Sequence, residues 1–171
     1  LSCVQSAGFE LKGGAVFEGK EDEFTALNFS KNLGQKWGSS FQVKREEFDQ
    51  LLINDAIDKG CDVAFETEVI AYDEKQNIIT TKDINDHIQT YKAKKVLDAS
   101  GYGKVLPRLL NLEVPSSLTT RRATFARVNN DIRATNETEG YIIISVVGEN
   151  EAWIWNIPFS DGTTSVGIVC S

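Results

Sequence analysis

The chain has 171 residues, a hydrophobic content of 41% and a formal net charge of -7. A chain of this length can bury one real core, and its hydrophobic content is near the globular norm. The acidic balance and the dispersed positive residues exclude a typical nucleic-acid partner, because phosphate backbones are bound by basic patches. No run approaches the roughly twenty apolar residues of a membrane span, so no membrane partner is predicted.

Cysteine and histidine usage narrows the class further. The chain has three cysteines, and they lie far apart without C-x-x-C spacing. This pattern indicates neither a disulfide framework nor a zinc site and predicts a reducing, cytoplasmic location. The one histidine, His87, lies among polar residues and is predicted to be exposed, so no histidine-rich metal site is expected.

The predicted elements in chain order describe a mixed domain of the α+β class. The first part predicts strands at 15–17, 24–29 and 40–44, followed by a helix over 46–59. In that helix Phe48, Leu51 and Leu52 share a face, and Gly60 ends it.

The middle of the chain predicts a cluster of hairpins and a short helix. Its strands are expected at 62–72, 78–81, 90–93 and 95–98, and its helix at 106–110.

The last third predicts an antiparallel meander with a long loop in its middle. The strands are expected at 124–128, 141–147, 152–159 and 163–169, with turns at 148–150 and 160–162. The polar segment 129–140 predicts a mobile loop.

The predicted strand 152–159 carries the most informative motif. Side chains alternate on a strand, so Trp153, Trp155 and Ile157 face one way, and Pro158 ends the run. The segment resembles the W-x-W-x-I-P signature of the flavin-dependent halogenases, the class that includes the tryptophan halogenases. The resemblance implies that these four residues line a tunnel that keeps the organic substrate from the flavin yet passes a halide ion. The alternative is a sheet strand with large anchoring aromatic residues.

A second motif lies in segment 7–17, which is similar to the lysine segment of the same family. The resemblance implies that Lys12 is catalytic and receives hypohalous acid, either by a hydrogen bond or by becoming a haloamine. An amine suits both roles, and the pKa of a lysine shifts readily when the side chain is desolvated. The alternative is an ordinary solvated lysine.

A third motif lies in segment 41–52, which resembles the strand-Arg-x-x-Phe-Asp-x-x-Leu opening shared by halogenases and aromatic-hydroxylase flavoproteins. The resemblance implies that Arg45 reaches the flavin phosphates. A guanidinium beside a helix start suits a pyrophosphate, because the first backbone N–H groups of a helix are unsatisfied. The alternative is a surface arginine that pairs with Glu46 or Asp49.

A fourth motif, in segment 95–103, is a short apolar run that ends in Asp-Ala-Ser-Gly. It resembles the late strand of a flavoprotein dinucleotide fold, and the resemblance implies that Asp98 and Gly101 contact the cofactor. Ligands of open α/β sheets lie beyond the carboxyl ends of strands, where glycine lets the backbone approach closely. An ordinary strand-to-helix turn would use the same residue types.

The four motifs follow the order seen in the family, so the chain is interpreted as a halogenase-like FAD-dependent oxidoreductase. No G-x-G-x-x-G occurs, which predicts that 1–171 is an interior fragment that binds FAD poorly and is inactive alone. Residues 95–112 are expected to belong to an aromatic-hydroxylase type FAD-binding α/β fold, and 113–171 to an antiparallel sheet of the substrate-side domain.

The resemblance also implies the reaction partners. They are a halide, an electron-rich aromatic substrate and a separate flavin reductase that supplies reduced FAD. Ala152 stands before the first tryptophan, where the family often has glycine. This departure leaves open a flavin monooxygenase or reductase of the same superfamily, in which Lys12 is inert. A non-catalytic binding module, with its tryptophans exposed to a protein partner, is the alternative from another class.

Overall fold

The structure, a computed structural model, describes residues 2–19, 24–31, 37–148 and 152–171. The described helices are α1 (Ser2–Ser6), α2 (Arg45–Asp58) and α3 (Val105–Leu109). The described strands are β1 (Glu10–Lys12), β2 (Gly14–Glu18), β3 (Phe24–Asn28), β4 (Ser40–Gln42), β5 (Thr67–Asp73), β6 (Ile78–Asp83), β7 (Ile88–Lys92), β8 (Arg122–Asn129), β9 (Ile142–Val147), β10 (Ala152–Pro158) and β11 (Thr163–Cys170). Short 3-10 turns lie at Phe29–Lys31 and Gly101–Gly103. The mixed class predicted from the sequence is confirmed.

The chain divides into two compact units. The larger unit joins the first part of the chain, Leu1–Gly60, to the last part, Thr119–Ser171. The smaller unit is the continuous segment Cys61–Leu118. Of the helices that the structure describes, none has the length and apolar character of a membrane-spanning helix.

A six-stranded sheet forms the centre of the larger unit, with the order β3-β2-β9-β10-β11-β8. Its pairs are antiparallel except β2 with β9, which run parallel. The predicted meander is therefore wrong in one respect, since β8 pairs with β11 and not with its chain neighbour β9. The connection between β8 and β9 is long enough to let the chain cross, and this order is the Greek-key arrangement. The predicted turn at 148–150 lies partly outside the described residues.

A separate two-stranded ribbon, β1 with β4, precedes helix α2. Its antiparallel register places Glu10 opposite Gln42 and Lys12 opposite Ser40. We call this pair the lysine ribbon, because it carries Lys12.

In the core of the larger unit a tyrosine packs against a glycine of strand β2. Tyr141 is buried, as are Ala15 and Val16 on the neighbouring strand β2. A Cβ added to Gly14 would lie 2.2 Å from the Tyr141 ring and 2.3 Å from the Leu27 carbonyl oxygen. Glycine at this position therefore lets the ring pack directly against the backbone of β2.

Helix α2 agrees with the predicted range to within one residue. Phe48 packs edge-on against Phe9, with ring centroids 6.1 Å apart. None of its described residues is fully buried, and Leu52 is 41% exposed. Gly60, with a φ of 88°, follows the helix and supplies the left-handed conformation common after a helix end.

The smaller unit contains the antiparallel sheet β5-β6-β7 and helix α3. The predicted hairpins are confirmed, and His87 lies in the β6–β7 turn with 79% of its side chain exposed. Two predictions need correction. The strand expected at 62–72 begins only at Thr67, and the strand expected at 95–98 is absent from the described residues. No described strand pairs with that segment, and Leu97 is 91% exposed, whereas a β-strand requires a hydrogen-bonded neighbour.

Candidate functional site

A cavity of about 730 Å³ lies in the larger unit, beside the tryptophan strand. Its apolar walls include Phe125, Trp155, Ile157 and Phe159, and the start of α2 at Arg45 forms part of its rim. This volume is in the range of small-molecule sites, which are mostly apolar with a few polar groups. The structure thus brings Arg45, Trp155 and Ile157, which come from two separate sequence motifs, to one cavity.

The orientation of Trp155 is fixed by three neighbours. Its Nε1 donates a hydrogen bond to the Ser165 Oγ at 3.1 Å, and its ring centroid lies 6.1 Å from that of Phe125. Trp155 pairs with Gly167 across β10 and β11. A Cβ on Gly167 would lie 2.3 Å from the Trp155 ring. The indole therefore occupies the space that a side chain at position 167 would need.

Trp153 and Pro158 have different surroundings from Trp155. Trp153 is half-buried, and the Arg121 guanidinium carbon lies 5.2 Å from its ring centroid, a cation–π distance. Pro158 is buried and is the last residue of β10. Neither residue lines the cavity that contains Trp155 and Ile157.

Lys12 ends strand β1 and is half-buried. Its Nζ lies 5.7 Å from the centroid of the Phe29 ring. Burial lowers the pKa of Lys12 below its usual value, because desolvation disfavours the ammonium. Among the described residues, no carboxylate forms an ion pair with it to oppose this shift. Lys12 itself does not line the cavity.

Arg45 is the first residue of α2 and pairs with Asp49 one turn later. Its Nε and Nη2 donate to the two carboxylate oxygens at 3.1 and 3.0 Å. This is the surface pairing given as the alternative from the sequence, and the arginine side chain is 78% exposed. An exposed pair of this kind is worth little free energy, so the guanidinium remains free to exchange Asp49 for a stronger anion. Lys44, at the N-cap, makes no side-chain capping bond to the helix start.

Asp98 and Gly101 lie in the smaller unit, before helix α3. Asp98 accepts hydrogen bonds from the Ser100 N–H at 2.8 Å and the Leu106 N–H at 2.9 Å. Hydrogen bonds from Ser100, with that from Leu106, lower the pKa of Asp98. Gly101 is exposed with a φ of 56°, and a Cβ there would meet nothing within 4 Å. Asp98 therefore shapes the turn that presents the Gly101 backbone.

A set of polar side chains that no sequence motif indicated connects the lysine ribbon to the β10–β11 hairpin. We call Gln42, Lys44 and Arg133 the polar clamp. Gln42 donates to the Pro158 carbonyl at 3.0 Å, and Lys44 forms an ion pair with Asp161 in the hairpin turn.

Arg133 extends the clamp and anchors the loop that was predicted to be mobile. It donates to the Thr163 carbonyl at 2.8 Å and to Asp131 at 3.2 Å, and it lies 3.7 Å from Glu10. Burial opposes ionisation of Asp131, but hydrogen bonds from Thr164 and Arg133 lower its pKa. The only signals in the sequence were isolated charged residues, which do not reveal distant partners.

The Lys44–Asp161 ion pair predicts how the stability of the fold changes as the pH falls. The hydrogen bond from Lys44 holds the pKa of Asp161 well below its usual range, followed in effect by those from Thr163. A carboxyl group whose pKa is lower in the folded than in the unfolded state stabilises the fold at pH values above its unfolded-state pKa. This stabilisation is lost as the pH falls toward the folded-state pKa.

Asp161→Asn is therefore expected to make the fall in Tm between about pH 5 and pH 3 shallower, as measured by thermal unfolding followed by circular dichroism. Asp58→Asn, at the exposed end of α2, removes the same formal charge and is the control. Equal pH slopes for the two variants would contradict the prediction.

No family model matches the chain, but the chain is similar to several known proteins. The chain is 29% identical to the 1H-pyrrole-2-carbonyl-[peptidyl-carrier protein] chlorinase of Pseudomonas fluorescens, covering 99% of this chain and 43% of that protein. It is 28% identical to the tryptophan 2-halogenase of Chondromyces crocatus, covering 98% of this chain and 32% of that protein.

A solved structure supports the same fold. The flavoprotein/dehydrogenase of Cytophaga hutchinsonii is 34% identical with a TM-score of 0.86, covering 99% of this chain and 42% of that one. The chain thus spans between about a third and about two-fifths of the length of these proteins. Halogenases match this chain from end to end, and the resemblance to the flavin-dependent halogenases predicted from its four motifs is confirmed.

Proposed function

We propose that this chain is the lysine- and tryptophan-bearing part of an FAD-dependent halogenase that delivers electrophilic halogen to an electron-rich aromatic substrate. The observation that supports the proposal best is Lys12, a half-buried lysine whose pKa is lowered by desolvation. A structural lysine at the surface would need no such environment, whereas a lysine that alternates between ammonium and amine benefits from it. Relatives of the chain that act as a chlorinase and a halogenase give the reaction type.

The cavity beside Trp155 fits part of a flavin. Its aromatic walls suit a planar ring, and the start of α2 offers backbone N–H groups to an anion. Arg45 would hold a phosphate of FAD by exchanging Asp49 for it, with the bidentate geometry that guanidinium groups favour. Gly101 would let the backbone approach the cofactor, and Asp98 would fix the turn that carries it.

When bound, reduced FAD (FADH2) from a flavin reductase would supply the two electrons and two protons with which oxygen, a halide ion and one further proton give hypohalous acid and water. Trp153, Trp155, Ile157 and Pro158 would separate this chemistry from the organic substrate. The hydrogen bond to Ser165 and the contact with Gly167 keep Trp155 in one orientation, as a fixed wall of a narrow passage requires. Such a passage would admit a halide ion and hypohalous acid but not an aromatic ring.

Lys12 would present the halogen to the substrate. Its ammonium would donate a hydrogen bond to the oxygen of hypohalous acid, which makes the halogen more electrophilic. Alternatively, the free amine would displace the oxygen to give a haloamine and water. The aromatic carbon then takes the halogen, and the ring proton is transferred to the released base. The lowered pKa makes the free amine more accessible than it is in a fully solvated lysine.

We also propose that residues 95–112 belong to the FAD-binding fold and that 113–171 belong to the substrate-side sheet. Activity would belong to the whole protein, because the chain spans only 43% of the chlorinase that it resembles.

One experiment separates this function from its nearest rival, a flavin monooxygenase or reductase. The similarity to a flavoprotein/dehydrogenase favours that rival. The whole protein should be incubated with FAD, a flavin reductase, NADH, bromide and, in turn, a pyrrole, a phenol and an indole. We expect a product in which one ring hydrogen is replaced by bromine, identified by its isotope pair in mass spectrometry. A hydroxylated product, or flavin oxidation without any halogenated product, would favour the rival.

A further inference from the structure

Gln42 is a buried polar residue in the lysine ribbon, with 4% of its surface exposed. Its Nε2 donates to two carbonyl oxygens that are distant in sequence, that of Gly140 at 2.9 Å and that of Pro158 at 3.0 Å. Both protons of the amide are therefore used. Pro158 ends the tryptophan strand, three positions after Trp155, and Gly140 lies just before strand β9.

The position of Gln42 gives these bonds a geometrical consequence. Gln42 lies opposite Glu10 in the ribbon, and Lys12, two positions after Glu10 on the same strand, shares that face of the ribbon. One side chain thus joins the ribbon that presents Lys12 to the end of the strand that presents Trp155. Its bonds have a fixed length and direction, so they set the offset between the two elements and not merely their association.

The rest of the polar clamp constrains this offset less. In the Lys44–Asp161 pair the carboxylate is 40% exposed, and the Arg133–Glu10 contact is 3.7 Å long. Exposed pairs contribute little and exchange readily with water. Gln42 is the fully buried member, and a buried hydrogen bond has no water to replace it.

Gln42 also carries a cost that a purely stabilising residue would avoid. Its Oε1 is buried and has no hydrogen-bond partner among the described residues. Leaving such a group unsatisfied is unfavourable, which offsets part of what the two bonds contribute. Glutamine provides two directed hydrogen bonds here, which an apolar side chain of the same length cannot form.

We propose that Gln42 is a positioning residue that sets the distance between Lys12 and the tryptophan strand, so that hypohalous acid passing Trp155 meets the amine. This inference rests on the proposed halogenase function. Loosening the offset lets the oxidant escape to solvent before it reaches Lys12, while the cofactor chemistry continues.

The test compares Gln42→Met with Gln50→Met in the whole protein, below the Tm of each variant. Gln50 lies exposed on α2, where its amide donates to Asn54 one turn later, so it is the matched control. A soluble thioether is added as a trap for escaping hypohalous acid. We expect Gln42→Met to lower the ratio of halogenated product to oxidised trap severalfold at an unchanged rate of flavin oxidation, and Gln50→Met to leave the ratio unchanged.

A second readout does not depend on halogenation. The rate at which Lys12 reacts with a small acylating reagent, relative to exposed Lys75, is measured by mass spectrometry. We expect this relative rate to change in Gln42→Met and not in Gln50→Met. Gln42→Asn, which keeps the amide on a shorter stem, provides a second variant if Gln42→Met does not fold, and it should also lower the ratio.

The outcomes are distinguishable. If product and oxidised trap fall together with an unchanged ratio, or Lys12 reacts as in the wild type, Gln42 serves stability alone and the inference is overturned. If the wild-type protein yields no halogenated product, the proposed function fails, and the relative reactivity of Lys12 still decides whether Gln42 positions it.

Discussion

Lys12→Ala in the whole protein is expected to lower the formation of halogenated product by about 10²-fold or more while flavin oxidation continues at the wild-type rate. The reason lies in the proposed function, in which the cofactor would make the oxidant and the Lys12 amine would direct it to the substrate. The measurement is product by mass spectrometry beside flavin oxidation by absorbance, with bromide as the halide. The oxidising equivalents should then appear as free hypobromous acid, which a soluble trap detects.

Two control variants sharpen this prediction. Lys75→Ala removes an exposed lysine in the smaller unit and should leave product formation unchanged. Lys12→Arg keeps a permanent cation that can donate a hydrogen bond but cannot become a neutral amine at working pH. Activity retained in Lys12→Arg would favour hydrogen bonding over a haloamine. Product formation retained in Lys12→Ala would contradict any catalytic role for the side chain.

Gly167→Ala is expected to destabilise the larger unit by about 2–3 kcal/mol, in the upper part of the range for overpacking a well-packed site. The new Cβ would lie 2.3 Å from the Trp155 ring and 2.6 Å from the Phe125 Cβ. Phe125 cannot swing its Cβ away, because that atom is fixed to strand β8. The free energy of unfolding is measured by urea denaturation, with tryptophan fluorescence reporting any rotation of the indole.

Gly38→Ala is the matched control, because its added Cβ would meet the Ser30 Cβ at 3.4 Å, an ordinary contact. Combining Gly167→Ala with Trp155→Ala should cost less than the sum of the single changes, since the ring contact is then already absent. Additive effects, or equal stabilities for the two glycine variants, would show that Trp155 does not depend on Gly167.

Local patterns in the sequence predicted the elements whose partners are close along the chain. Helix α2 follows from its apolar spacing and the glycine after it, and the hairpins of the smaller unit follow from short alternating runs. The strand expected at 95–98 was wrong, because an apolar run indicates a buried segment but does not supply the neighbouring strand that a sheet needs.

Strand pairings between distant segments could not be predicted from the sequence. Nothing local distinguishes β8 beside β9 from β8 beside β11, and nothing local indicates that β2 runs parallel to β9. The candidate site likewise contains residues that a local motif indicates and residues that no local motif indicates. Lys12, Arg45 and Trp155 could be chosen as candidate site residues because each lies in a segment that resembles a family motif.

The polar clamp could not be predicted, since its members act only through contacts between distant parts of the chain. Gln42, for example, bonds to Pro158, 116 positions away. A buried glutamine in a strand and an arginine in a polar loop have no distinctive spacing.

The parallel pair of β2 and β9 sets the order in which the protein can mature during synthesis. Ala15 finds its partner, Ile142, only after the whole segment between them has left the ribosome. At usual rates of translation this takes on the order of ten seconds, during which the β2–β3 hairpin has an apolar edge open to other nascent chains. The segment Cys61–Leu118 closes its own contacts in that interval. Slower translation of the codons between β2 and β9 should therefore increase aggregation of newly made protein more than slower translation of the codons after β9.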